Sequence, residues 1–447
     1  MSVNRTLSEF MSFTALVASI LALFSLQTVI AAPEIQVWET EHGVPVYFVE
    51  AHEIPMIQVS MGFRAGSAND PVDKLGLSSL MSQMLTMGVN GMDQDAFAEA
   101  IESTGAQIGA GSDADKVVAS LKSLSEAGVL ERASDLFTRT LSEPTFSPDV
   151  LERERARRLV GLERQKQSPG SMAGKAYAAT LFPDHPYGRP ASGDETTLAA
   201  INQSDLIAFH QKYLVQSNLV IAVVGDMTRP QVELWIDDML ASIPLGERAS
   251  DALVPMVPVA SEQFISFDSQ QSTILVGHQG IPRGHPDYIA LTVANYILGG
   301  GGLVSILADE LREKRGLTYG VSSGFSRMVS SGSFTIRLQT RNDKRDEAVG
   351  LVRDVLNDFV ENGPTEQQVE NAVKHLSGSF PLSTDSNSKV GNILMAIAYY
   401  GLPVDYLQTY IQEVEAVDLG RVNEVVRRHM RPGDLIQVVL GGLVTTE

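Results

Sequence analysis

Arg312 and Tyr319 stand seven residues apart in the segment Leu311-Arg312-Glu313-Lys314-Arg315-Gly316-Leu317-Thr318-Tyr319. A guanidinium and a phenol are both hydrogen-bond donors, and both suit the negative charge that builds on a carbonyl oxygen when a peptide bond is attacked. Arginine can also hold a peptide carbonyl through its forked donors. The same residues read equally as a helix end, where Arg and Lys complement the dipole and Gly316 closes the last turn. Tyr319 would then be a half-buried strand aromatic. Just upstream lie Gly299, Gly300, Gly301 and Gly302. Such a run either exposes backbone amides that a peptide could bond or makes a flexible turn between helices.

Other chemistry is scarce. There is no cysteine, so disulfides, thiolate metal sites and thiol catalysis are excluded. Among the eight histidines the closest pair, His278 and His285, is seven residues apart. No two have the i, i+4 spacing that lets imidazoles on one helix face share an ion. No metal is therefore assigned to this chain. Acidic residues outnumber basic ones 54 to 34, a net charge of −20, which argues against nucleic acid or an anionic membrane as partner.

The elements that must carry these residues come as two halves of one design. The first opens with strand-like alternation over 35–38, 44–49 and 57–64, continues with helical patterns over 76–87 and 93–104, and closes with a helix at 205–213, an apolar strand at 219–224 and Gly225-Asp226. The second has a strand at 271–278, a helix at 288–298, and the same ending: helix 419–429, strand 435–440, Gly441-Gly442. An internal duplication of roughly 200 residues per unit explains this economically. Residues 243–263, with Pro244, Pro255 and Pro258 and no helical period, form the linker. The expected domains are thus 33–242 and 264–447, each α+β, a mainly antiparallel sheet covered on one face by helices. Residues 1–32 hold one apolar run, Phe13 to Ile30, followed by Ala31-Ala32 just before Pro33, which predicts a signal peptide, cleavage near Ala32 and a periplasmic location. An uncleaved anchor is the alternative. No later stretch is long and apolar enough to span a bilayer.

Phe63 to Met84, FRAGSANDPVDKLGLSSLMSQM, resembles the active-site segment of the pitrilysin/insulinase/mitochondrial processing peptidase family. Four further segments fit that family in order: His185 to Pro190 (HPYGRP), Asp205 to Met227, His285 to Gly302, and Leu311 to Tyr319. The family's H-x-x-E-H helix grips one Zn²⁺ with two His and activates a water with the Glu. Laid over this chain, the His positions fall on Ser79 and Gln83, the Glu on Ser82 and the third ligand, a more distant Glu, on Gly161. The resemblance therefore implies a chain that has lost its zinc site and kept the family's Arg/Tyr pair, Arg312 and Tyr319. It implies a non-catalytic subunit of a heterodimeric zinc peptidase, in which an H-x-x-E-H-bearing partner holds the zinc and this chain places Arg312 and Tyr319 on the peptide substrate. An inert scaffold or peptide-binding protein is the rival expectation, and a peptidase with a rebuilt metal site a third. The family's Ser-Arg-Leu after the glycines is replaced here by Ser305-Ile306-Leu307, which counts against presequence-type recognition.

Overall fold

The computed structural model describes residues 33–442, so the expected leader at 1–32 and residues 443–447 lie outside the described residues. Strands β1 (Gln36–Glu39), β2 (Pro45–Glu50), β3 (Met56–Phe63), β4 (Gln107–Ser112), β5 (Val117–Leu124) and β6 (Leu219–Gly225) form one sheet in the order β1-β2-β6-β3-β5-β4. The second sheet has β7 (Ser261–Ser266), β8 (Gln271–Gln279), β9 (Val321–Phe325), β10 (Ser333–Arg341) and β11 (Ile436–Gly441), ordered β7-β11-β8-β10-β9. Pairing is antiparallel except between β2 and β6 and between β7 and β11. Strand for strand, β2-β6-β3-β5-β4 matches β7-β11-β8-β10-β9, so the duplication extends to topology, with β1 an addition to the first half.

One face of each sheet is covered by helices of its own half. In the first, α1 (Leu77–Met84), α2 (Ala127–Ser142), α3 (Pro148–Lys166) and α5 (Gln203–Tyr213) lie in this layer. Here Leu80, Phe137, Leu151 and Leu206 share a core with Val59, Leu121 and Ile221. In the second, α6 (Tyr288–Asn295), α7 (Arg345–Glu361) and α9 (Leu419–His429) bring Val293, Leu356 and Val425 onto Ile274 and Ile336.

The other faces are not open, contrary to the one-sided covering expected from the sequence. Helix α4 (Pro169–Leu181), from the first half, packs Ala173, Tyr177 and Leu181 on Leu275, Val438 and Leu440 of the second sheet. Helix α8 (Asn387–Tyr400), from the second half, packs Val390, Leu394 and Ile397 on Val49, Ala222 and Val224 of the first. Each exchanged helix meets a glycine at the seventh residue of a central strand. A β-carbon at Gly62 of β3 would sit 2.8 Å from Met395 Sδ, and one at Gly277 of β8 would sit 2.5 Å from the Tyr177 hydroxyl. Covering on both faces explains why β6, β8 and β11 are buried almost without a break, polar residues of β8 such as Thr273 and His278 included, whereas β5 alternates. The linker is shorter than 243–263: Ile243 is buried in the first core, and Ser261 to Gln263 already belong to β7, paired with Ile436 to Val438. Among the described residues no helix is long and apolar enough to cross a membrane.

Candidate functional site

Helix α1 is anchored at its start by Asp70, whose carboxylate accepts hydrogen bonds from the backbone N–H of Gly76 and of Ser78, each at 2.9 Å. Burial pushes the Asp70 carboxyl up to about 6, against the pull of those bonds. One turn on, Ser79 and Gln83 share a helix face. Helix α3 crosses them with Glu154, Arg158 and Gly161, which share a face at i, i+4 and i+7.

The place between the two helices is taken by a guanidinium. Arg158 donates through Nη1 to Ser79 Oγ at 3.0 Å, and through Nη2 to the Ser79 carbonyl at 2.8 Å and to Gln83 Oε1 at 2.7 Å. The other end of the Gln83 amide donates to Glu154 Oε2 at 2.7 Å. Glu154, only 1% exposed, also accepts from Arg157 at 2.8 Å. Burial lowers the Arg158 pKa from its ordinary value, while the charges of Glu154 and Asp70 oppose that shift. Ser82 is buried and turned back on its own helix, its hydroxyl donating to the Ser79 carbonyl at 3.1 Å. Gly161 offers no ligand, and a β-carbon there would have no neighbour within 4 Å. These residues do not fit a zinc ion. A hydroxyl and an amide stand at the His positions, both bonded by a fixed cation, and a serine stands at the position of the water-activating Glu.

His285, Asp287 and His429 bring potential ligand atoms within 4.8 Å of one another. Their surroundings suit an anion instead. The Asp287 carboxylate already accepts from Arg421, from Arg428 at 3.0 Å and from His429 at 2.5 Å. Burial would raise its pKa, but these three donors override burial and hold it well below the usual range. A divalent ion there would face two guanidinium groups.

The Arg/Tyr segment does end a helical turn. Asp309–Glu313 is a wide π turn, and the N–H of Gly316, at φ +60°, bonds the Arg312 carbonyl at 3.0 Å. Tyr319 is no half-buried strand aromatic, being 92% exposed. It lines a trough of about 610 Å³ with Thr273, Gln339 and Arg337. Arg312 does not line that trough, and its guanidinium lies 3.6 Å from Glu313. The glycine run is tightly engaged over its first three residues. A β-carbon at Gly299 would sit 2.5 Å from Ser323 Oγ, one at Gly300 2.5 Å from Asn295 Nδ2, and one at Gly301 2.7 Å from the Tyr296 carbonyl. The Gly301 amide already donates to that carbonyl at 2.8 Å. Gly302, at φ +63°, is open to solvent, followed by Leu303 and Val304, 63% and 76% exposed.

Comparisons with known proteins point to the same zinc-peptidase scaffold in an inactive form. Residues 46–195 match the family described as Insulinase (Peptidase family M16), and residues 200–376 match Peptidase M16 inactive domain. A crystal structure from Pseudomonas fluorescens, titled peptidase M16 inactive domain, is 37% identical, covers 93% of this chain and 99% of its own, and superposes with a TM-score of 0.89. "Non-peptidase homolog YmxG" of Helicobacter pylori is 25% identical over 88% of this chain and 90% of its own length. "Uncharacterized zinc protease YmxG" of Bacillus subtilis is 24% identical over 87% and 94%. This chain belongs to peptidase family M16. Within it, the chain is an M16-type protein without a peptidase centre of its own.

Motif alignment finds Ser79, Ser82, Gln83 and Gly161 and does not reach Arg158. The signal was available: Arg158 sits one turn after Glu154 and one turn before Gly161, on the face that must meet α1. Arg337 carried no signal, because a single arginine in an alternating strand reads as an ordinary solvated side chain.

Proposed function

We propose that this chain is the non-catalytic subunit of a two-chain M16 peptidase, exported to the periplasm by its leader. Its partner would bear H-x-x-E-H and the zinc, and an extended peptide would lie against a sheet edge of that partner. This chain would close the chamber and present Tyr319, with Arg312, to the carbonyl oxygen as charge builds on it. Donors fixed before the reaction stabilise that charge without reorganisation cost, the usual origin of such effects. The observation that carries this reading is a contrast. The zinc-ligand positions are closed by Arg158, whereas Tyr319 is held out over an open trough at 92% exposure.

The test is to isolate the tagged mature chain from its native envelope fraction and identify what accompanies it. The expected companion is a stoichiometric H-x-x-E-H chain, and Tyr319→Phe in that complex should cut turnover by about a hundredfold with assembly intact. Arg312→Gln is expected to act in the same direction. Undiminished turnover in both variants would end the assigned role. One observation favours the rival, an inert scaffold or peptide-binding protein: Arg312 leans on Glu313 at 3.6 Å and lines no part of the trough. In that case no H-x-x-E-H chain would accompany the protein.

A further inference from the structure

We propose that the trough beside Tyr319 selects peptides carrying a carboxylate, and that Arg337 is the residue that selects them. The proposal rests on the reading of this trough as the peptide-facing surface of the chain and names the substrate chemistry it prefers.

Arg337 lies on β10, opposite Leu275 of β8 and Ser322 of β9. Side chains alternate along a strand, so Thr335, Arg337 and Gln339 stand on one face, away from the core that buries Phe334, Ile336 and Leu338. That face is the one α4 covers only in part. Tyr177 of α4 donates to the Phe334 carbonyl at 3.3 Å and closes one end of it. What remains uncovered is the trough of about 610 Å³ beside Tyr319 and a second hollow of about 320 Å³. Arg337 lines both, and among the described residues it is the one charged side chain lining either. The rest of the lining is hydroxyl, amide, glycine and apolar.

The second observation is that this guanidinium has no partner among the described residues. Several arginines of the same half, Arg312, Arg315 and Arg353 among them, lie within salt-bridge distance of a carboxylate, whereas Arg337, like Arg327 and Arg427, does not; what sets Arg337 apart is its place in the lining of both hollows. The fork of five donors on Arg337 matches a carboxylate in two-point contact. A peptide lying over Tyr319 would bring either an acidic side chain or its own C-terminus to Arg337. The shared chemistry is a carboxylate on an extended peptide.

The experiment uses the full mature chain and three labelled eight-residue peptides of Ala, Ser and Gln, read by fluorescence anisotropy. One carries a single central Glu and an amidated end; one carries Gln there and a free C-terminal carboxylate; one carries Gln and an amidated end. At least one carboxylate peptide should bind about tenfold tighter than the neutral one, the expected scale for a charge-assisted contact at a partly open site. Which of the two is preferred identifies the source of the carboxylate. In Arg337→Gln the three affinities should converge, and Arg337→Lys should retain part of the preference. Thermal stability should not move, because Arg337 bonds nothing among the described residues. Equal binding of all three peptides, binding of none, or a preference that survives Arg337→Gln would overturn the proposal. The two ideas fail separately. Full turnover by Tyr319→Phe with the carboxylate preference intact would remove only the hydrolytic role. Equal peptide affinities with a crippled Tyr319→Phe complex would remove only the selectivity.

Discussion

Putting the family's zinc ligands back should not give a zinc site while Arg158 remains. The perturbation is Ser79→His, Gln83→His and Gly161→Glu, made with Arg158 retained and again with Arg158→Ala. Space permits the new glutamate, since a β-carbon at Gly161 has no neighbour within 4 Å. The Arg158 guanidinium bonds Ser79 Oγ at 3.0 Å and Gln83 Oε1 at 2.7 Å, so an ion bound by side chains at 79 and 83 would share its space. At about 4 Å, in an effective dielectric of about 20, a unit positive charge and a divalent cation repel by roughly 8 kcal/mol. Retreat of the arginine to about 8 Å halves this to roughly 4 kcal/mol, still about three decades in affinity. Competition against a chromogenic zinc chelator would read the difference, with thermal melts confirming that both variants fold. The variant lacking Arg158 should bind zinc at least about a thousandfold more tightly. Affinities within tenfold of each other would refute the assignment of Arg158 as the metal's replacement. Failure of both to bind would refute the convergence of the three positions.

Three further outcomes follow from the geometry. Arg158→Ala alone should cost roughly 2–4 kcal/mol in urea unfolding, because a charged donor set is lost and the acceptors on Ser79 and Gln83 are left under-satisfied, with Arg158→Lys intermediate; a change within 0.5 kcal/mol, the scale of ordinary surface substitutions, would contradict the bonding described. Gly299→Ala, whose β-carbon would meet Ser323 Oγ at 2.5 Å, should cost roughly 1–3 kcal/mol, whereas Gly302→Ala meets nothing within 4 Å and should cost roughly 1 kcal/mol for its left-handed backbone alone; the reverse order would show that crowding is not what selects the first glycine. The halves should answer acid oppositely. Burial holds His278 down at about 4 against an ordinary 6.5, so the unfolded chain binds the extra proton and this contribution to stability is lost as pH falls through that window. Asp70, raised by burial to about 6 from 3.8, takes up a proton in the folded state first, so its contribution grows as pH falls over that range. Urea titrations from pH 7 to 4 should show His278→Gln losing less stability than the parent and Asp70→Asn gaining less; pH-independent differences would refute both assignments.

Much of this was legible in the sequence, and what was not has a physical reason. Strands such as 219–224 and 271–278 and helices such as 419–429 declare themselves through local periodicity, and the repeated helix-strand-glycine ending is a comparison of like with like. Helix 288–298 was legible in place and not in form: it is α-helical to Asn295 and then widens into a π turn through Gly300, at the glycines packed against Ser323 and Asn295. The destination of α4 was invisible. Ala173, Tyr177 and Leu181 mark a helix face at four-residue spacing, but nothing local says that the face belongs to the other half's sheet. The closed zinc position was half legible. Motif alignment finds the missing ligands Ser79, Gln83 and Gly161, whereas the side chain that filled the vacated space is set by where α3 crosses α1. Tyr319 looked like a strand aromatic by its letters, and only the turn closed by Gly316 reveals why it stands out in solvent.

The exchanged helices α4 and α8 change what it means to speak of two domains. Each sheet borrows its second cover from the opposite half, so cutting the chain within 244–260 would yield two fragments that each lack a roof and each carry the roof of the other. Such fragments are built for complementation: apart, each exposes an apolar sheet face, and together each supplies what the other lacks. The same exchange describes how a half-length ancestor could have paired with its own copy by trading one helix apiece. Fusion through a proline-bearing tether would then have made that reciprocal dimer a single gene product, free to let one half lose a metal while the other kept its tyrosine.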